Sequence, residues 1–219
     1  MLTGTAARQW STTLDRSFLD VIEAYGLVAQ PDSRAFGAHV EKAVKDSWED
    51  LCGQWRADPL PEPGRRSIYD AGFRAAGELV GVDFKSKDLA EGRYSDGGVC
   101  SVGNLLRFYA DGANYFITEF GYALTGRTAR FSYVRTAPFH VLPASMYRIE
   151  NLGTGQVRLN GTLESCWGDI EWDRPLAGFL DLFLELAEAH YDRVARAAQA
   201  RATTLARYRA SGYTALGRF

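Results

Sequence analysis

Apolar residues recur along the first quarter of the chain at the three- and four-residue spacing of a helix that buries one side. Over 8–26 the stripe includes Leu14, Phe18, Val21 and Ile22. Pro31-Asp32-Ser33 then signals a helix start. A second stripe, Phe36, Val40, Val44, Trp48 and Leu51, carries a helix to about Trp55. The proline-rich stretch ADPLPEPGRR at 57–66 reads as a loop. After it the period drops to two. Segments 67–73 and 78–86 predict strands joined by the turn Arg74-Ala75-Ala76-Gly77. GRYSDGG at 92–98 is a loop, 104–109 a short helix or turn, and 115–124 and 130–135 are strands. GTGQVRLNGT at 153–162 reads as a polar, glycine-punctuated loop, and 176–209 as helix with at most one break. This order predicts an α/β (α+β) fold, a central mixed β-sheet flanked by helices, in a single domain over 1–219.

Composition narrows the class without changing that picture. At 46% hydrophobic and 24% charged, a 219-residue chain can bury a sizeable core. No apolar run reaches the ~18 residues that span a bilayer, and the N-terminus lacks the basic start and apolar core of a signal peptide. Cys52, Cys100 and Cys166 are widely spaced and match neither a disulfide framework nor a zinc pattern, so they read as buried thiols in a reducing cytoplasm. His39, His140 and His190 show no metal-ligand spacing, and Trp48, Trp55, Trp167 and Trp172 read as core or interface. The net charge of −2 does not suggest nucleic acid; its distribution is more informative. Arg127, Arg130, Arg135 and Arg148 fall in one stretch without acids; Arg193, Arg196, Arg201, Arg207, Arg209 and Arg218 fall in another. Clustered arginine neutralises phosphates, although a solvated helix face has the same composition.

The chemistry concentrates in SIYDAGFRAAGELVGVDFKSKD, 67–88. Alternation along the second strand puts Val80, Val82 and Phe84 on one face and Gly81, Asp83, Lys85 and Lys87 on the other. The hairpin brings Asp70 alongside, so that two carboxylates and a lysine converge at a sheet edge. Mg²⁺ takes hard oxygen ligands and keeps several waters, so one or two carboxylates and a substrate phosphate suffice for it. An adjacent lysine can orient the attacking water and stabilise the charge that builds on the phosphate. The reaction expected of such a group is hydrolysis of a DNA phosphodiester, leaving a 5′-phosphate. A salt-bridged Asp and Lys on a surface strand would show the same pattern.

The hairpin resembles the active site of the PD-(D/E)XK nuclease superfamily, and the chain is similar in particular to the EcoRV-like type II restriction endonucleases. VDFKSK at 82–87 followed by GGVCSV at 97–102 matches that family's I-D-I-K-T-T strand and the Gly-Gly-x-x-Ser-hydrophobic element after it. Gly153-Thr154-Gly155-Gln156-Val157-Arg158-Leu159-Asn160-Gly161-Thr162 has the glycine placing of the family's Gly-Ser-Gly-Asn base-reading loop, with a helical tail beyond. Glu41 stands about thirty residues before Asp70, where the family carries a helical acid. Two departures stand out. Tyr69 replaces the proline that usually precedes the first aspartate, and Gln156, Val157 and Arg158 replace Asn and Thr residues, which implies a different DNA sequence.

The resemblance implies a restriction-endonuclease-like core, with Asp70 and Asp83 as Mg²⁺ ligands, Lys85 at the attacking water and Glu41 as an auxiliary acid. The loop carrying Gly153, Thr154, Gly155, Gln156, Val157, Arg158 and Asn160 would enter the major groove, where Gln pairs with adenine and Arg with guanine. Arg65, Arg66 and Ser67 would lie near the minor groove, and Ser95, Ser101 and Asn104 would touch phosphates. One active site cuts one strand, so double-strand cleavage of double-stranded DNA at a palindrome calls for a two-fold homodimer. The resemblance implies the N-terminal helices, about 8–55, as its interface, a blunt cut, and a bacterial cytoplasmic restriction-modification setting. Residues 150–219 would supply the DNA-reading loop and a C-terminal helical part. A repair or recombination nuclease of the same superfamily, or a non-catalytic DNA-binding protein with a structural Asp/Lys cluster, are the alternatives.

Overall fold

A computed structural model describes residues 1–28, 32–64, 67–90, 98–126, 128–150 and 155–211. Three helices open the chain: α1 (Gly4–Tyr25), α2 (Ser33–Asp46) and α3 (Trp48–Trp55). Helix α1 buries Ala7, Leu14, Phe18 and Ile22 and ends at Gly26, whose φ of 64° a β-carbon would resist. Asp32 caps α2, its carboxylate accepting from the Ala35 amide at 2.7 Å. The second apolar stripe is continuous in sequence, but the helix is not. At Ser47 the backbone leaves the helical region, and α3 then buries Trp48, Leu51 and Cys52.

The strands follow as β1 (Asp58–Pro59), β2 (Ala71–Ala75), β3 (Glu78–Asp88), β4 (Gly98–Ser101), β5 (Asn114–Thr125) and β6 (Thr128–Pro138), with α4 (Val102–Ala110) between β4 and β5. Five form one mixed sheet in the order β1-β2-β3-β5-β6. The β2–β3 turn has two residues rather than four: Ala76 and Gly77 both take positive φ, 49° and 83°, which suits the right-handed twist of a hairpin. Strands β3 and β5 run parallel, so the chain between them must cross the sheet, and α4 makes that crossing. Strand β3 is therefore central, and its charged face is not at a sheet edge, contrary to the sequence-based expectation.

Beyond β6 lie β7 (Tyr147–Glu150), β8 (Gln156–Leu159), α5 (Leu163–Cys166) and α6 (Leu176–Ala210). Strands β4, β8 and β7 form a second, antiparallel sheet that the periodicity did not reveal. The stretch read as the loop 153–162 thus contains a strand. Helix α6 runs unbroken for 35 residues.

Two cores flank the five-stranded sheet. On one face, α1, α2 and α3 bury Phe18, Trp48 and Phe36 against Phe73, Val82, Phe84 and Phe120. Trp48 also donates its indole N–H to the Gly72 carbonyl at 2.9 Å, so the polar end of the ring is satisfied. On the other face, Tyr115, Ile117 and Phe139 pack against α4, the small sheet and the first half of α6 through Leu105, Tyr147, Val157, Phe179 and Phe183. The molecule is a mixed α/β protein with helices on both sides of a mixed sheet.

Candidate active site

Strand pairing continues one residue beyond β2: the Asp70 amide donates to the Val82 carbonyl at 2.9 Å. That bond sets Asp70 beside Asp83. One Asp70 carboxylate oxygen, Oδ2, also accepts from the Phe84 amide at 2.8 Å, which fixes the side chain over the central strand. Asp83 is only 5% exposed. The Lys85 ammonium lies 2.9 Å from its Oδ1 and 2.7 Å from its Oδ2. The face assignment read from alternation is borne out, because Asp83 and Lys85 project together while Val82 and Phe84 enter the opposite core.

Burial pushes the Asp83 carboxyl up to about 8; the neighbouring Asp70 charge adds to the rise and Lys85 opposes it. Burial alone would lower Lys85, but the Asp83 carboxylate against it holds the ammonium above its ordinary value. Two further side chains enclose the pair. Tyr115 on β5 is fully buried, its phenol raised first by burial and then by the adjacent Asp83 charge. Cys100 on β4 is raised by burial and by the same Asp83, so its thiol stays protonated beside the site. Sequence spacing does not indicate either contact. Tyr115 becomes a neighbour only once the parallel register sets it against Gly81.

Two adjoining carboxyls, one of them buried where its charge is penalised, suit a cation. Asp70 and Asp83 are hard oxygen donors of the kind Mg²⁺ accepts while keeping its waters. Among the described residues, no group of three or more His, Cys, Asp or Glu gathers in a metal-binding arrangement. Glu41 is accordingly not brought to the pair. Its carboxylate is 2.6 Å from Lys45 one helical turn on. Lys45 lines, with Asp70, Trp48 and Leu60, a cleft of about 520 Å³. Glu41 therefore reaches the site's surroundings only through Lys45.

A second buried acid lies further along the same sheet face. Glu119 on β5 pairs in register with Lys85. Its Oε1 accepts from the Tyr133 hydroxyl at 2.9 Å and the Leu163 amide at 2.8 Å, and burial pushes it up to about 7. Its place between Tyr115-Phe116-Ile117 and Phe120 in a mostly apolar strand is the signal for a buried acid.

The remaining expected contacts divide. Gln156 and Arg158 share the outer face of β8, where Arg158 donates to Gln156 at 3.4 Å and pairs with Glu150 at 3.3 Å. Val157 faces inward and is completely buried, so it cannot touch a base. Gly155 is buried as well; a β-carbon there would meet the Tyr191 hydroxyl at 2.6 Å. Asn160 spends its backbone and side-chain amides on the Met146 and Ser145 carbonyls, at 2.8 and 3.1 Å. Ser101 caps α4, its hydroxyl accepting from the Asn104 amide at 3.2 Å. Ser67 and Asn104 line one small pocket with Arg107, an exposed arginine the sequence did not single out. Arg65, Arg66, Ser95, Gly153 and Thr154 lie outside the described residues. His140 is a core residue, pushed down to about 4 by burial and then by Arg174.

No family model matches this chain, and no curated protein matches it either. Among the described residues no helix is long and apolar enough to cross a membrane.

Proposed function

We propose that this protein is a magnesium-dependent DNA endonuclease of the PD-(D/E)XK type, acting as a homodimeric type II restriction enzyme in a bacterial cytoplasm. One observation carries the reading: Asp70 and Asp83 adjoin on neighbouring strands with Lys85 locked against Asp83. The mixed sheet, with the acid pair on its first long hairpin and helices on both faces, fits the core that the sequence resemblance implies.

Asp70 and Asp83 would hold Mg²⁺. Bound Mg²⁺ lowers the pKa of a coordinated water and stabilises charge on the departing oxygen. The Phe84 amide keeps Asp70 oriented toward that site. The Lys85 ammonium positions the attacking water and offsets negative charge growing on the phosphate. Tyr115 and Cys100 restrict solvent around the pair, which strengthens each of these interactions. Gln156 and Arg158, on the outer face of the small sheet, are the side chains offered to base edges.

Digestion of plasmid and phage DNA with Mg²⁺ tests the reading. Discrete, reproducible fragments with 5′-phosphate blunt ends support it, and nicking that follows DNA structure rather than sequence points to a repair nuclease. Asp83→Ala should abolish cleavage while specific binding in Ca²⁺ persists. Undiminished cleavage by that variant would sink the site.

A further inference from the structure

Helix α6 has two unlike halves. Phe179, Phe183, Ala187 and His190 are buried and seat the first half on the core. From Tyr191 to Ala210 no residue is buried. At 1.5 Å per residue this second half extends about 30 Å beyond its seat. It carries Arg193, Arg196, Arg201, Arg207 and Arg209, all exposed, and no acid follows Asp192. Among the described residues, none of the five forms an ion pair. At 100° per residue, Arg193, Arg196 and Arg207 fall within an arc of about 60°.

The point of departure matters. Tyr191 packs over Gly155, the residue that enters β8 just before Gln156. The arginine-bearing half therefore leaves the body beside the hairpin whose outer face carries Gln156 and Arg158. We propose that residues 193–209 of α6 form an arm that lies along the phosphate backbone of duplex DNA next to that hairpin. The inference rests on the reading of this protein as a DNA endonuclease and adds the element that supplies its sequence-independent affinity. Charge selects the occupant. Five arginines without an acid repel the same half of this helix in a second copy. Val194, Leu205 and Tyr208 give too narrow an apolar face for a lipid surface.

The test uses the full chain in three forms: wild type, the triple Arg193→Gln, Arg196→Gln, Arg207→Gln, and the same triple to Lys. Gln, Lys and Arg have similar helix propensity, so helix content should not move. Affinity for a mixed-sequence duplex of about 30 bp is followed in Ca²⁺ by anisotropy, between about 50 and 200 mM salt. The Gln variant should bind about tenfold more weakly, with a salt slope shallower by about 2 to 3, and the Lys variant should keep the wild-type slope. An unchanged slope in the Gln variant, with wild type still cutting in Mg²⁺, overturns the arm and leaves the endonuclease standing. Loss of the dimer, or of binding to phosphatidylserine vesicles, with that slope unchanged overturns it in favour of a subunit or lipid contact. A wild type that neither cuts nor binds duplex sinks the endonuclease and the arm together.

Discussion

The β2–β3 hairpin and the β7–β8 hairpin are both antiparallel ladders with one apolar face, yet they treat their charged face in opposite ways. In the first, Asp83 lies beside Tyr115 and Cys100 almost wholly removed from water, and Lys85 beside it is largely covered. In the second, Arg148, Glu150 and Arg158 form partly exposed ion pairs at 2.8 and 3.3 Å. A buried ion pair costs desolvation and holds its groups in one geometry; exposed pairs are worth little energetically and can be exchanged for another partner. The first hairpin suits fixed chemistry, and the second suits changeable recognition.

The largest expected effect tests the buried side of this contrast. Asp83→Asn keeps the shape and removes the charge. Cleavage in Mg²⁺ should fall about 10³-fold or more, since a metal contributes several kcal/mol to the transition state. A single-turnover assay reads this directly, and a loss under about tenfold would break the assignment.

The same burial predicts a pH dependence. Asp83 is held up at about 8 and Glu119 at about 7, and desolvation likewise holds Asp15 of α1, next to Thr136, at about 7, against ordinary values of 3.8 for Asp and 4.5 for Glu. In the unfolded chain these acids ionise first, so between about pH 4 and pH 8 the folded state binds more protons and stability falls as pH rises. Metal-free protein should melt about 3 °C or more lower at pH 8 than at pH 5. Mg²⁺ should recover part of that loss in wild type and none in Asp83→Asn. A melting temperature that climbs across the interval would contradict the burial argument.

On the second hairpin the two faces of β8 should separate. Val157→Ala removes buried methyl groups and should cost about 1–3 kcal/mol in denaturant unfolding, with the fragment pattern unchanged. Gln156→Ala and Arg158→Ala should leave unfolding nearly unchanged and relax base preference by about 1–3 kcal/mol each. If the fragment pattern changes with Val157 and not with Gln156 or Arg158, the inward and outward roles are reversed.

How much of this was legible follows from where each signal lies. Alternation over 80–87 is local, so it assigned Asp83 and Lys85 to one face without further knowledge. Asp70 needed only a hairpin. The two sheets needed more. Val157 and Leu159 are two apolar residues in a four-residue strand, too short for periodicity to outweigh the glycines around it. The central place of β3 depends on its parallel pairing with β5 across α4, a long-range contact that no local pattern encodes. Tyr115 and Cys100 stayed hidden for the same reason.

Glu41 is where resemblance and geometry part, and it offers the smallest effect and the sharpest discrimination. The resemblance places an auxiliary acid there. The structure gives that carboxylate to Lys45 across one helical turn and leaves it out of the Asp70–Asp83 pair. A half-exposed i,i+4 pair contributes about 0.3–0.5 kcal/mol, so Glu41→Gln should barely alter stability. Cleavage should change less than about threefold, because freeing Lys45 perturbs only the wall it shares with Asp70. A loss nearer that of Asp83→Asn, relieved by raised Mg²⁺, would mean that Glu41 leaves Lys45 to take part in metal binding when DNA is present. The buried hairpin would then recruit its third acid from α2 rather than hold it in place.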